Sequence, residues 1–182
     1  EELPLFYKLY YENVFVRGRK EYLTEKQLTS SGTGPLLVDF DFRYDISVVK
    51  RQHTQEHVQD MIQLYLEELK EFFIFEENKP FPIFIMEKPH VNRVVDKNLT
   101  KDGIHMVIGM KMERAVQMLL REELLHELPE ILGDLPIVNT WEQVYDDGIV
   151  KGHTNWQLYG SRKPNNKAYD LKYIFEMKRN PE

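Results

Sequence analysis

Pro35-Leu36-Leu37-Val38-Asp39-Phe40-Asp41-Phe42 is dense in β-prone apolar residues. It follows the turn signal Ser30-Ser31-Gly32-Thr33-Gly34 and has the length of a strand largely covered by other elements. Two carboxylates interrupt it. Residues i and i+2 of a strand point to one face, so Asp39 and Asp41 stand side by side while Val38, Phe40 and Phe42 pack behind them. Like charges so placed repel unless a cation lies between them, and hard oxygen donors suit Mg²⁺ or Mn²⁺. Taken alone, the same D-x-D pattern also describes an edge strand with two solvated aspartates.

Around this strand the chain alternates helical and extended patterns. Leu3 to Phe15 is rich in Leu, Phe, Tyr and Val and is compatible with helix or strand. Thr54 is placed to cap a helix running to about Phe73, with Val58, Met61, Ile62, Tyr65, Leu66, Leu69, Phe72 and Phe73 on one face. Asn78-Lys79-Pro80 ends that region, and Phe81 to Met86 reads as a second strand. A polar loop is expected from Glu87 to Asp102, a third strand over Ile104 to Met110 opened by Gly103, and a second helix over Met112 to Leu128 burying Val116, Leu119, Leu120, Leu124 and Leu125. Gly133 and Pro136 break the chain before a short helical turn from Thr140 to Asp146. Asn155 to Tyr159 and Ala168 to Phe175 read as two further strands joined by a turn. The absence of repeats and linkers predicts one α/β domain.

Composition narrows the function classes. At 182 residues with 42% hydrophobic and 12% aromatic content, the chain can bury a core as one domain. It has no cysteine, which removes disulfides, zinc–thiolate sites and cysteine nucleophiles and fits an intracellular protein. No apolar run reaches bilayer-spanning length, so no membrane partner is expected. The first residue is Glu and no leader pattern follows it, which suggests a fragment cut from a longer chain. A net charge of −6 argues against a broad grip on nucleic acid by the whole surface. Basic residues nevertheless concentrate at Arg17, Arg19 and Lys20 and again at Arg162, Lys163, Lys167, Lys172, Lys178 and Arg179, so phosphate-binding surface is expected at those two places.

Two further constellations carry chemistry. Lys101, Gly103 and His105 alternate on the third strand, which puts a point charge and a directional donor on one face with a glycine between them that admits a ligand. Downstream, Asp147-Gly148-Ile149-Val150 precedes Trp156-Gln157-Leu158-Tyr159-Gly160-Ser161-Arg162-Lys163-Pro164, a turn-prone segment in which a hydroxyl, backbone amides and two cations suit an oligophosphate. Each signal has an ordinary structural reading: a histidine beside an unrelated lysine, or a basic hairpin loop.

The order of the three signals resembles the archaeo-eukaryotic primase superfamily, and most closely the primase domain of the primase-helicase proteins of large nucleocytoplasmic DNA viruses, the poxviral and asfarviral enzymes among them. The resemblance runs from about Pro35 to Phe175 and is strongest at Val38–Asp41, Lys101–His105 and Leu158–Pro164, with Asn166 to Lys172 resembling the usual continuation. It implies an α+β catalytic core with an RRM-like sheet carrying the acidic residues and helices packed on one face. It implies that Asp39, Asp41 and Asp147 are catalytic and hold two Mg²⁺ or Mn²⁺ ions, with Asp146 an alternative to Asp147. Lys101, Gly103, His105, Ser161, Arg162 and Lys163 would then bind the nucleotide. The implied activity is primer synthesis from NTPs or dNTPs on a single-stranded DNA template, next to a helicase domain, inside the cell and, for a viral protein, in the host cytoplasm or at a replication site. Two departures stand out: Gly103 replaces the serine that many relatives carry, and the arginine that some relatives carry between the third acid and the Tyr159 segment has no counterpart in Gly152-His153-Thr154-Asn155, for which Arg162 is the candidate substitute.

Three other readings compete. His53-Thr54-Gln55-Glu56-His57 matches the H-x-x-E-H pattern of a zinc peptidase, although a cap at Thr54 leaves His53 outside the helix. A D-x-D motif also serves manganese-dependent glycosyltransferases, whose Rossmann-like opening this chain lacks. A non-catalytic RRM-like domain would bind nucleic acid on the same sheet but has no use for carboxylates facing phosphate.

Overall fold

The computed structural model describes residues 2–26, 32–76 and 79–178. Ser30 and Ser31 of the predicted turn, Asn78 of the predicted helix stop, and Arg179 of the basic end lie outside the described residues. The D-x-D strand is longer than its apolar run: β2 spans Thr33–Asp45 and pairs antiparallel along its length with β5, Leu99–Glu113. Its register shifts between Pro35 and Leu36, the kind of irregularity at which a strand tolerates a residue without an N–H. β5 also pairs with β3 (Phe81–Glu87), and β3 with β7 (Asp170–Met177), giving the order β2-β5-β3-β7 with the short β4 (Asn92–Val94) on β5. Every pairing is antiparallel, so the fold is mixed helix and sheet of the α+β kind.

Period-two alternation divides the sheet into two faces. Leu36, Val38, Phe40, Phe42 and Tyr44 of β2 join Ile104, Met106 and Ile108 of β5 and Ile83 and Ile85 of β3 in one core cluster. Against it pack Val58, Met61, Ile62, Tyr65 and Leu69 of α2 (Gln55–Phe72) and Leu120, Leu124, Leu128 and Leu132 of α3 (Arg114–Leu132). Thr54 precedes α2 as predicted, and its backbone N–H donates to Nδ1 of His57 at 3.0 Å. On α3 the predicted stripe is wrong at Leu119, which is 56% exposed, because the helix turns Gln117 and Arg121 inward. Arg121 repays its burial with bonds to the Tyr145 carbonyl at 2.6 and 2.8 Å.

Three other expectations change. The region expected as an open loop from Glu87 holds β4 and a 3-10 turn, and β5 starts at Leu99 because pairing with β2 satisfies its polar backbone. Leu3–Phe15 resolves into α1 (Glu2–Tyr11) and a π turn (Glu12–Val16). The two late strands do not form a hairpin. β6, Trp156–Gln157, pairs with β1, Thr24–Glu25, whereas β7 joins the main sheet through β3. The N-terminal segment is therefore bound to the β6–β7 loop. The Tyr10 hydroxyl donates to the Tyr159 carbonyl at 2.7 Å, and Phe15 stacks on Tyr159 beside Gly160, whose φ of +87° suits a residue without Cβ.

Candidate active site

The face of the sheet opposite α2 and α3 carries a smaller apolar cluster of Leu37, Met86, Ile149 and Trp156 and the cleft in which the β2–β5 register assembles the site. Asp39 lies opposite His105, Asp41 opposite Gly103, and Arg43 opposite Lys101. Both carboxylates and both donors line one cavity of about 1000 Å³, into which Lys163, Asp146 and Asp147 also open. Nε2 of His105 lies 3.4 Å from Oδ1 of Asp39, and Oδ2 of Asp41 lies 3.4 Å from Nζ of Lys101 and 3.3 Å from Arg43. Burial at the floor of the cleft would raise the Asp39 pKa, but the hydrogen bond and charge of His105, with Lys163 and Lys88 behind it, hold it below the ordinary value.

Local structure positions Asp146 and Asp147. α4, Trp141–Val144, is capped by Thr140, whose hydroxyl accepts from Gln143 N. α5, Asp147–Val150, is capped by Asp146, whose carboxylate accepts from Gly148 N at 3.3 Å. Asp147 pairs with Lys151 one turn on, which keeps its carboxyl below the usual range. Asp39 and Asp41 are thus a fitting oxygen pair for a divalent cation, as donor chemistry requires. Among the described residues, however, no three His, Asp or Glu side chains converge on one point. Asp146 and Asp147 line the same cavity.

Two of the nucleotide-binding expectations meet different surroundings. Room at Gly103 is already taken: a Cβ there would sit 2.5 Å from the Phe40 carbonyl oxygen and 3.0 Å from the Tyr169 hydroxyl, so the glycine admits Tyr169 rather than a ligand. Ser161 is 1% exposed, and its hydroxyl is bonded to Tyr10 at 2.8 Å and to Leu23 N at 3.1 Å, so it ties the N-terminal segment down. Arg162 lines a neighbouring groove with Lys163.

Sequence reasoning missed Tyr169, Trp156 as a contact, Arg43 and Lys88. Tyr169 stacks on His105 with ring centroids 3.6 Å apart, Trp156 lies 4.5 Å from it, and together they fix the imidazole. Lys88 follows β3, donates to Asn166 at 3.1 Å and sits over the Tyr169 ring. Burial, then repulsion from Lys163 and Lys101, lowers its pKa. No local pattern marks these residues, since β3 and the β6–β7 loop meet only in the folded chain; the alternation in β2 does place Arg43 on the face of Asp41.

The two histidines of the H-x-x-E-H pattern diverge. Nε2 of His53 is 2.9 Å from Glu87 inside the protein, while Nε2 of His57 is 3.0 Å from Asp134 on the surface. His53→Ala is expected to lower stability by about 1–3 kcal/mol, because it strips a buried carboxylate of a partner. Denaturant unfolding and zinc content measured together check this; a stoichiometric zinc lost in the variant contradicts it.

The chain belongs to the archaeo-eukaryotic primase (AEP) domains: residues 1–175 match the family described as "C962R protein N-terminal AEP domain". A relative, the protein L207/L206 of Acanthamoeba polyphaga mimivirus, named as a helicase, is 30% identical over 174 residues, covering 93% of this chain. The match spans only 17% of that relative's length. Among the described residues no helix is long and apolar enough to cross a membrane.

Proposed function

We propose that this domain is a nucleotidyltransferase that builds primers from NTPs or dNTPs on a single-stranded DNA template. The observation that carries the reading is the β2–β5 register, which brings the acid pair Asp39 and Asp41 together with the donors His105 and Lys101 in the lining of one cavity, in a chain of a primase family. Asp39 and Asp41, with Asp147 from the same cavity, would hold Mg²⁺ or Mn²⁺. Two such ions, when bound, would make the 3′-hydroxyl more acidic and neutralise the departing pyrophosphate.

The chain's own residues bind and orient the substrate. Lys101, Lys163 and His105 face the triphosphate, and Lys88, over the Tyr169 ring, adds a fourth donor. The Tyr169–His105–Trp156 stack keeps the imidazole from turning away, so the donor is in position before the substrate arrives. The remaining length of a longer protein would supply a helicase, and the activity would lie inside the cell, at a replication site if the source is a virus.

Losing one charge-assisted contact to phosphate costs about 1.5–3 kcal/mol, so His105→Gln and Lys101→Met are each expected to weaken apparent NTP affinity or turnover roughly ten- to a hundredfold. Affinity for single-stranded DNA without nucleotide stays within about twofold if these groups serve the nucleotide. Steady-state kinetics with template-complementary and mismatched NTPs, beside DNA binding, test this. Incorporation that ignores the template base, or variants that lose DNA affinity with unchanged NTP kinetics, would count against it.

A further inference from the structure

We infer that a single-stranded polynucleotide runs along a basic groove beside the carboxylate cavity, its phosphates held by Lys20, Arg162 and Lys167, with Lys163 at the junction. Use of that strand as template rests on the activity proposed above; its binding does not. The groove, about 500 Å³, takes Lys20 from the first basic cluster and Arg162, Lys163 and Lys167 from the second, which lie towards opposite ends of the chain. The β1–β6 pairing joins them, helped by Arg162 N donating to the Glu21 carbonyl at 2.8 Å and Leu158 N to the Leu23 carbonyl at 3.0 Å.

Electrostatics points to an anion. Lys79, Lys151 and Lys178 each have a carboxylate partner, whereas none of Lys20, Arg162, Lys163 and Lys167 has an ion pair among the described residues. The acid at the rim, Glu21, accepts instead from Asn13 at 2.7 Å. Lys20, Arg162 and Lys167 crowd one concavity with Lys163, whose charge also acts on Asp39, and a phosphate-bearing ligand relieves their mutual repulsion. The β6–β7 loop is held in shape by Asn165 at φ +61° and by Asn166 N donating to the Lys163 carbonyl at 3.0 Å.

Position favours a strand over a free nucleotide. Lys101, Lys163 and His105 line the carboxylate cavity, while Lys20, Arg162 and Lys167 lie outside it in the adjoining groove, so a ligand that reaches both carries more than one phosphate. Tyr22, 50% exposed, lines both cavities and offers an aromatic face to an unpaired base.

The test is fluorescence anisotropy of a labelled single-stranded oligonucleotide across a salt series, with unaltered protein and Lys20→Ala/Lys167→Ala. Two phosphate contacts are removed. Affinity at low salt is expected to fall about tenfold, and the slope of log K against log salt to become shallower by about 1.4, at roughly 0.7 per contact. NTP affinity stays unchanged, since neither lysine touches the carboxylate cavity. Should the alanine pair fold poorly, Lys20→Glu/Lys167→Glu and each single variant carry the same comparison. Oligonucleotide affinity and salt slope equal to those of the unaltered protein overturn the inference, as does equal dependence on these lysines for duplex binding. Weakened DNA binding in a protein that never synthesises a strand keeps the groove and removes the proposed activity. Synthesis with untouched DNA binding removes the groove alone.

Discussion

Asp39→Ala and Asp41→Ala are each expected to reduce nucleotide transfer by roughly a thousandfold or more in a protein that still folds. The two carboxylates are the oxygen donors that share one face of β2 and open on the cavity, and nothing else on that strand replaces them. From the D-x-D pattern alone, removing one of two like charges should stabilise the fold. The structure changes that expectation, because Asp39 is answered by His105, Lys163 and Lys88, and Asp41 by Arg43 and Lys101. Each alanine variant should therefore be unchanged or weaker by up to about 1 kcal/mol near neutral pH, the scale of a partly exposed ion pair. The sign with pH follows from the lowered pKa of Asp39: its contribution is present above the ordinary value of 3.8 and is lost as pH falls through the folded value. Unfolding curves for Asp39→Ala and unaltered protein should converge in acid. A variant that extends primers at the unaltered rate removes the metal-site assignment.

Arg51→Ala is expected to be the most damaging single change for stability, at about 3–5 kcal/mol. Arg51 binds Asp102 at 2.9 Å through two nitrogens, Glu87 at 2.6 Å and the Lys88 carbonyl at 2.7 Å. The carboxylates it serves are almost without solvent: the Asp102 side chain is 1% exposed and that of Glu87 is 6%. Burial alone would raise the Glu87 pKa, but His53 and then Arg51 hold it down, so this stabilisation is present above 4.5 and is lost as pH falls through the folded value. Removing the guanidinium leaves two buried negative charges with one histidine between them. Neutralising the whole group, as Arg51→Met/Glu87→Gln/Asp102→Asn, should recover much of the loss, since no charge is then stranded. Denaturant midpoints for the single and triple variants check this. An Arg51→Ala cost below about 1 kcal/mol would show that water reaches the carboxylates. Because Arg51 also holds the backbone at Lys88, the single variant should loosen the placement of Lys88 as well.

The elements that position the site were legible where one residue period ran unbroken. Alternation in β2 placed Asp39 and Asp41 together, alternation in β5 placed Lys101 beside His105, and Thr54 marked the start of α2. What stayed hidden depends on contacts between distant segments. Nothing in Trp156-Gln157 reveals a partner at Thr24-Glu25, so the late strands read as a hairpin when they belong to different sheets. The surroundings of Ser161 and Gly103 were hidden for the same reason, since Tyr10 bonds the serine hydroxyl and Tyr169 lies above the glycine. Leu119 looked buried because helical periodicity cannot foresee that Arg121 reaches the Tyr145 carbonyl and that Gln117 turns to the sheet.

The central claim is that the Asp39–Asp41 face transfers nucleotides to a growing strand under the direction of a template. The direct measurement incubates the domain with single-stranded DNA, labelled NTPs or dNTPs, and Mg²⁺ or Mn²⁺, and resolves the products on a denaturing gel beside Asp39→Ala/Asp41→Ala. The expected result is a ladder of short products that needs both template and metal and is absent from the double variant. A ladder of equal intensity from the double variant, or none from the unaltered protein with either metal, would contradict it.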